Sequence, residues 1–291
     1  MTIQQLSKEI GIGVDTLRIW ERRYGCPLPE RDTRGHRSYS AQQAEALRVV
    51  VKLQSFGIRP AKIFALDDQA RQELLAQHLG QALPLDSELQ RLVAELPPDQ
   101  VGRVMQERLQ QLGLSEFVHR FAVPLLQTLD RGWTEGWVSI AREHLVADRL
   151  QELLKARLTP LPQGDSRPRM LFLTLSGERH KLGLLLAAAL FHDQGIDCLL
   201  VNDELPLTEV PTLAAELQVA AVALSFSAHY STRQAKQDLA SLRRSVDSKI
   251  KLLAGGFALR DGVRLQNLII CTELEQIPQL CRQYFRPEAV K

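Results

Sequence analysis

Long apolar runs are absent from this chain. None of its 291 residues falls in a stretch of about eighteen consecutive apolar side chains, so no membrane-spanning helix is expected. The opening residues, Met1-Thr-Ile-Gln-Gln-Leu6, supply neither a basic segment nor an apolar one, so no secretory leader is expected either. Cysteine is scarce and scattered: Cys26, Cys198, Cys271 and Cys281 form no Cys-x-x-Cys pair. That argues against a cysteine-built zinc or iron–sulfur site and for reduced, mostly buried thiols in the cytoplasm. No Gly-x-Gly-x-x-Gly follows an apolar run, which speaks against a nicotinamide dinucleotide. Net charge is small, +2 over the whole chain, but unevenly placed. Residues 1–60 hold ten Lys and Arg against six Asp and Glu, an excess of four, which leaves the rest slightly acidic. A basic N-terminal segment on a mildly acidic body suggests a nucleic-acid partner for that segment.

The length suffices for two or three domains. Thr2 and Gln5 form a capping box for a helix over about 3–10, with Ile3, Leu6 and Ile10 at helical spacing. After Gly11-Ile-Gly13 a second helix is predicted from Asp15 to Tyr24, with Val14, Leu17 and either Trp20 or Ile19 turned inward. The pair has helix–turn–helix spacing. Pro27 and Pro29 then break the helix, and Arg34-Gly35 turns between two short extended pieces, predicting a β-hairpin wing. Ser40 with Gln43 caps a third helix to about Phe56, and Pro60 opens a fourth.

The segments Thr16-Leu-Arg-Ile-Trp-Glu-Arg-Arg-Tyr24 and Arg34-Gly-His-Arg-Ser-Tyr-Ser40 carry a resemblance over residues 1–66 to the DNA-binding domain of the MerR family. The resemblance implies a winged helix on duplex DNA. Arg18, Arg22 and Arg23 would face a major groove, and Arg34, His36, Arg37 and Tyr39 would form a wing over phosphates. Arg22 or Arg23 could instead pair with Glu21 or Glu30.

Residues 67–86 read as a helix end plus linker. Helices are predicted at 87–96, 99–112, 115–131 and 139–158, enough for a four-helix bundle, with Pro124 kinking the third. Thr159 to Pro168 is a linker by composition. Beyond it, strands at 170–175, 197–202, 219–224, 250–254 and 267–271 alternate with helices at 181–194, 208–217, 231–245, about 258–263 and 273–284. That alternation predicts a doubly wound parallel sheet of flavodoxin (Rossmann-like) type. The expected domains are therefore 1–75, 76–160 and 168–291.

Two constellations carry chemistry. Leu175-Ser-Gly-Glu-Arg-His-Lys-Leu-Gly183 places a histidine on the loop at the C-terminal end of the first sheet strand, where such sheets bind ligands. Glu178 can accept a hydrogen bond from one nitrogen of His180, leaving the other more basic and suited to a metal. Gly183 permits close approach where the loop becomes helix. The pattern resembles the cobalamin-binding loop of B12-dependent proteins. The second constellation is Trp133, in a loop 130–137, followed by Glu143 and His144 on the first turns of the last bundle helix. On residues alone Trp133 caps a core and His144 is a satisfied core histidine. With the domain order, however, the pattern resembles the Trp-x9-Glu-His signature of MerR-type regulators that sense adenosylcobalamin, the CarH-like photoreceptor repressors.

What that resemblance implies is a B12-gated, light-responsive transcriptional regulator on a double-stranded operator, a dimer or tetramer and not an enzyme. His180 would ligate cobalt from below, oriented by Glu178. The nucleotide tail would enter beside Ser225 and Ser227, with Gly255 and Gly256 leaving room for its base. Trp133, Glu143 and His144 would meet the upper axial group, so that cobalamin joins bundle to sheet. Two departures stand out. The Ser-x-Leu signature is here Ser225-Phe226-Ser227, and the His that follows the Trp in light-responding relatives is Thr134. A cofactor-free regulator acting through protein–protein contacts is the alternative from another class. A corrinoid enzyme module is disfavoured, because no substrate domain accompanies the sheet.

Overall fold

The structure, a computed structural model, describes residues 1–31, 37–79, 86–158, 167–227, 230–260, 262–263 and 265–285. The Arg34-Gly35 turn, the segment ending at Pro84 and the linker at 159–166 lie outside the described residues. The chain forms two compact units, one of residues 1–104 with 122–149, the other of residues 105–121 with 150–291.

The first unit opens with α1 (Ile3–Ile10) and α2 (Val14–Tyr24), then the antiparallel pair β1 (Glu30–Arg31) and β2 (Arg37–Ser38), then α3 (Ala41–Ser55) and α4 (Pro60–Phe64). Thr2 and Ser40 each close the capping box that the sequence predicts. Leu6, Ile10, Leu17, Trp20, Leu47, Val50, Leu53 and Ile63 form the core. Of the two candidates on α2, Trp20 is the one turned inward; Ile19 is exposed.

One expectation fails here. The described part of residues 67–86 is mostly helix: α5 runs Asp68–Leu79. Its sequence carries almost no apolar period, so pattern reading misses it. Specific contacts hold it instead. Asp67 accepts from the Ala70 amide at 2.7 Å, Arg71 Nε donates to the Ile63 carbonyl at 3.0 Å, and Leu75 is buried in the core of α3.

Helices α6 (Ser87–Ala94), α7 (Pro98–Leu112), α8 (Leu114–Phe117), α9 (Val123–Glu135) and α10 (Ile140–Arg157) follow, and contribute to both units. Where a kink at Pro124 is expected, the structure has a π-helical turn, Val118–Ala122, just before the proline. Proline has no N–H for the carbonyl four residues back and crowds it, and a wider turn relieves both. The helix then continues to Glu135, so Trp133 lies on α9 and not in a loop. Gly136, with φ 84°, ends α9 in the left-handed region that favours glycine. Arg142 of α10 ties back to the end of α6, donating to the Val93 carbonyl at 2.7 Å and to Leu92 at 3.1 Å.

The second unit holds β3 (Arg169–Leu175), α11 (Leu182–Asp193), β4 (Asp197–Leu205), α12 (Val210–Glu216), β5 (Ala221–Ser225), α13 (Thr232–Ser245), β6 (Lys251–Gly255), β7 (Leu268–Cys271) and α14 (Ile277–Tyr284). All five strands are parallel, in the order β4-β3-β5-β6-β7. Leu171, Leu173, Val222 and Leu224 pack with α12 and α13 on one face, while Phe172 meets Phe191 of α11 on the other at 5.8 Å between centroids. This is the predicted doubly wound sheet. From β3 the chain goes first to one side and then to the other, so the switch point lies between the loops after β3 and β5.

Among the described residues no helix is long and apolar enough to cross a membrane. Burial pushes the thiols of Cys271 and Cys281 up to about 11, and those of Cys26 and Cys198 upward as well. All four are protonated near neutrality and are poor metal ligands.

Candidate cofactor site and nucleic-acid interface

On the loop after β3, the Glu178 side chain is fully buried. One carboxylate oxygen accepts the His180 amide at 2.8 Å and faces His180 Nδ1 at 3.1 Å. The other accepts the Ser227 amide at 2.6 Å, reaching across to the loop after β5. Burial alone would push this carboxyl up. The hydrogen bonds from His180 and Ser227 outweigh it and hold the group below its ordinary value, so it is a carboxylate at neutral pH. A carboxylate against Nδ1 selects the tautomer with the proton there and the lone pair on Nε2. Ser227 Oγ lies 3.2 Å from the same Nδ1, and the His180 side chain is 53% exposed. The arrangement is a half-exposed imidazole held by its Nδ1 at the switch point of the sheet.

Residues behind this loop are small or polar. Ser225 ends β5, and its Oγ is 4.0 Å from where a Cβ on Gly183 would stand. Thr174 of β3, on the face that carries Phe172, is buried, and its hydroxyl has no partner among the described residues. Sequence reading passed over Thr174. The signal was a single hydroxyl in the otherwise apolar run Met170 to Leu175.

Gly255 and Gly256 need no ligand to account for them. A Cβ at Gly255 would lie 2.2 Å from the Cys271 carbonyl oxygen. One at Gly256, whose φ is 96°, would lie 2.4 Å from the Phe226 carbonyl oxygen. Both glycines are required by close backbone packing at the ends of β5, β6 and β7.

In the first unit, Trp133 on α9 buries an indole N–H that has no partner among the described residues, whereas the indole N–H of Trp137 donates to Glu135 at 2.9 Å. His144 is no core histidine. Its side chain is 68% exposed, with Nδ1 2.5 Å from Glu143 Oε2. Thr134 donates its hydroxyl to the Asp130 carbonyl at 2.7 Å.

The basic residues of α2 stand on one face. Arg18, Arg22 and Arg23 are exposed, with Arg18 3.2 Å from Asp15. Arg37 on β2 is exposed, 3.5 Å from Glu21. Tyr39 is different: it is buried and its hydroxyl donates to Glu21, so it anchors the wing to α2 rather than lying open to a phosphate. Glu21 is thereby engaged by Tyr39 and Arg37. Arg34 and His36 lie outside the described residues.

The chain thus joins a helix–turn–helix DNA-binding domain of MerR type to a helical region and a Rossmann-like parallel sheet. Residues 1–69 match the family described as MerR HTH family regulatory protein. The chain is 28% identical over 259 residues to the HTH-type transcriptional repressor CarH of Myxococcus xanthus, covering 86% of each. It is 28% identical over 228 residues to the HTH-type transcriptional repressor CarA of the same organism, covering 78% of this chain and 76% of that one. Among solved structures, the monomethylamine corrinoid protein of Methanosarcina barkeri is similar with a TM-score of 0.51, over 72% of this chain and 99% of that one. At 11% identity that likeness is one of fold.

Proposed function

We propose that this chain is a cytoplasmic, one-component transcriptional regulator that binds duplex DNA through its N-terminal domain and is gated by cobalamin, taken in its adenosyl form. It acts as a homo-oligomer, dimer or tetramer, and not as an enzyme. The observation that carries the cofactor reading is the buried Glu178 holding His180 by Nδ1 at the switch point of the sheet.

The donor set fits such a cofactor. Among the described residues no three His, Cys, Asp or Glu converge to hold a bare ion. A lone imidazole suits a metal that brings its remaining ligands with it, as a corrin-bound cobalt does. When bound, cobalamin would supply a cobalt centre able to take a nitrogen ligand from the protein. In this reading His180 would hold the cobalt through Nε2, and Glu178 would fix the orientation of the imidazole. Ser225, Ser227 and Gly183, with the Thr174 hydroxyl, receive the tail. Trp133, Glu143 and His144 would be further contacts to the cofactor, which would offer an acceptor to the indole N–H of Trp133. The repressors CarH and CarA, similar over most of the chain, support a regulator over a methyl-transferring module.

The test is spectroscopic. Full-length protein incubated with adenosylcobalamin should retain it through gel filtration, with an absorbance spectrum of imidazole ligation, and His180→Ala should lose that spectrum and most of the affinity. Electron paramagnetic resonance of the cob(II)alamin form, with and without labelled histidine nitrogen, identifies the lower ligand directly. A cofactor still carrying its own benzimidazole on cobalt would overturn the assignment. No retention of any cobalamin would favour a cofactor-free regulator.

A further inference from the structure

Among the described residues only two large hydrophobic side chains are exposed, Ile19 at 40% and Leu28 at 72%. Leu28 lies on the connection between α2 and β1. Ile19 lies on α2 itself, in the middle of its solvent face. At about 3.6 residues per turn, positions 15, 18, 19, 22 and 23 share one side of that helix, and all five are exposed. Arg18 and Arg22 flank Ile19 on one side and Arg23 on the other, while Leu17 and Trp20 fill the core behind. Asp15, at the N-terminal end of the face, is paired with Arg18.

Ile19 is outside the core cluster of this domain, and a β-branched residue is a poorer helix former than alanine. Three guanidinium groups around it fit a polyanion, and the face they make matches a major groove in charge. The one apolar group that the major groove displays is the C5-methyl of thymine. Arginines on such a face position the helix and read guanine, but none of them can reward a methyl.

We propose that Ile19 is a specificity residue that packs on the methyl group of a thymine in the operator half-site. This rests on the DNA-binding reading above and adds a base preference to it.

The test is a double-mutant cycle with the probe altered by one methyl group. A duplex is selected from a randomised pool by the full-length protein. Each thymine of its half-site is then replaced in turn by deoxyuridine, which pairs identically but lacks the methyl. Fluorescence anisotropy of the wild-type protein should show about a fourfold loss of affinity at one position, the equivalent of one buried methyl group. Ile19→Ala should lose a similar factor on the unmodified duplex and nothing further at that one position. Ile19→Val should fall between the two. Thermal melting controls for folding, and an exposed alanine on α2 should not lower it. Losses that multiply independently at every position would overturn the proposal, as would a selected half-site without thymine or an Ile19→Ala protein of wild-type affinity. A wild-type protein that selects no sequence at all would overturn the DNA-binding reading with it.

Discussion

Glu178 is a buried carboxylate whose charge is held by hydrogen-bond donors, among them the His180 and Ser227 amides, the His180 ring and the Ser227 side chain. Its pKa in the folded chain lies below the ordinary carboxylate value, so it contributes stability that is fully present above the unfolded value and is lost as pH falls through the folded one. Glu178→Gln keeps the shape but offers one acceptor oxygen where two serve, so one of the two loops loses its tie. We expect a cost of about 1–3 kcal/mol at neutral pH, the usual scale for a hydrogen bond to a buried charge. The cost should shrink below the ordinary carboxylate range, where the wild-type carboxylate becomes protonated. Thermal unfolding of both proteins across that range is the measurement. A difference in stability that stays constant into strong acid would mean that Glu178 is not the titrating group.

At the scale of elements, the ends of α3 and α9 show how the DNA-binding domain is fastened to the helix that carries Trp133. Lys52 of α3 is mostly buried and ion-paired with Asp130 of α9, while Arg48 pairs with Glu9 of α1 and packs its guanidinium against Gly136. Asp130 precedes Trp133 by one helical turn, so a shift of α9 about its Trp is felt at Lys52. Lys52→Met should lower stability by about 1–2 kcal/mol, less than the roughly 3–5 kcal/mol of a fully buried pair because Asp130 is partly solvated. It should also reduce the dependence of DNA affinity on added cobalamin, measured by anisotropy with and without the cofactor, and Lys52→Arg should restore that dependence. A Lys52→Met protein with the full cofactor response would separate this contact from signalling.

That link could not be read from the sequence, since nothing in the spacing of Lys52 and Asp130 marks them as partners. What was legible has a local cause. The Thr2–Gln5 and Ser40–Gln43 boxes fix helix starts within a few residues, and the strands of the second unit announce themselves as short apolar runs. The Glu178–His180 pair was legible because its members are two residues apart. Three features were not, because long-range packing decides them. Helix α5 is held by tertiary contacts rather than by period. Trp133 is kept helical despite the glycine before it, Gly132, which lies against the side chains of Trp137 and Val138. Tyr39 is buried with its hydroxyl on Glu21, although Arg37 and Ser40 near it in sequence are exposed.

For the molecule as a whole, the proposed upper-face residues and the DNA-binding helices belong to the same compact unit. Trp133 and the α9–α3 contact lie on one helix, so under the proposed reading a change of ligand at Trp133 would act within the unit that holds the DNA-binding helices. It would shift them only through contacts that differ between the ligand states. Protein without cofactor, protein loaded with adenosylcobalamin in the dark, and the same sample after illumination should therefore elute differently on size exclusion, and should differ in affinity for duplex DNA. The illuminated sample should also differ in its spectrum from that of a protein with histidine after the tryptophan. Thr134 has no ring nitrogen to offer, and its hydroxyl is already committed to the Asp130 carbonyl. The histidine of the upper-face set is His144, exposed and paired with Glu143. A bis-imidazole spectrum after illumination should thus be absent, or should vanish in His144→Ala. One that survives in His144→Ala would refute the role assigned to position 134. Identical elution of all three samples would refute control of assembly by the cofactor.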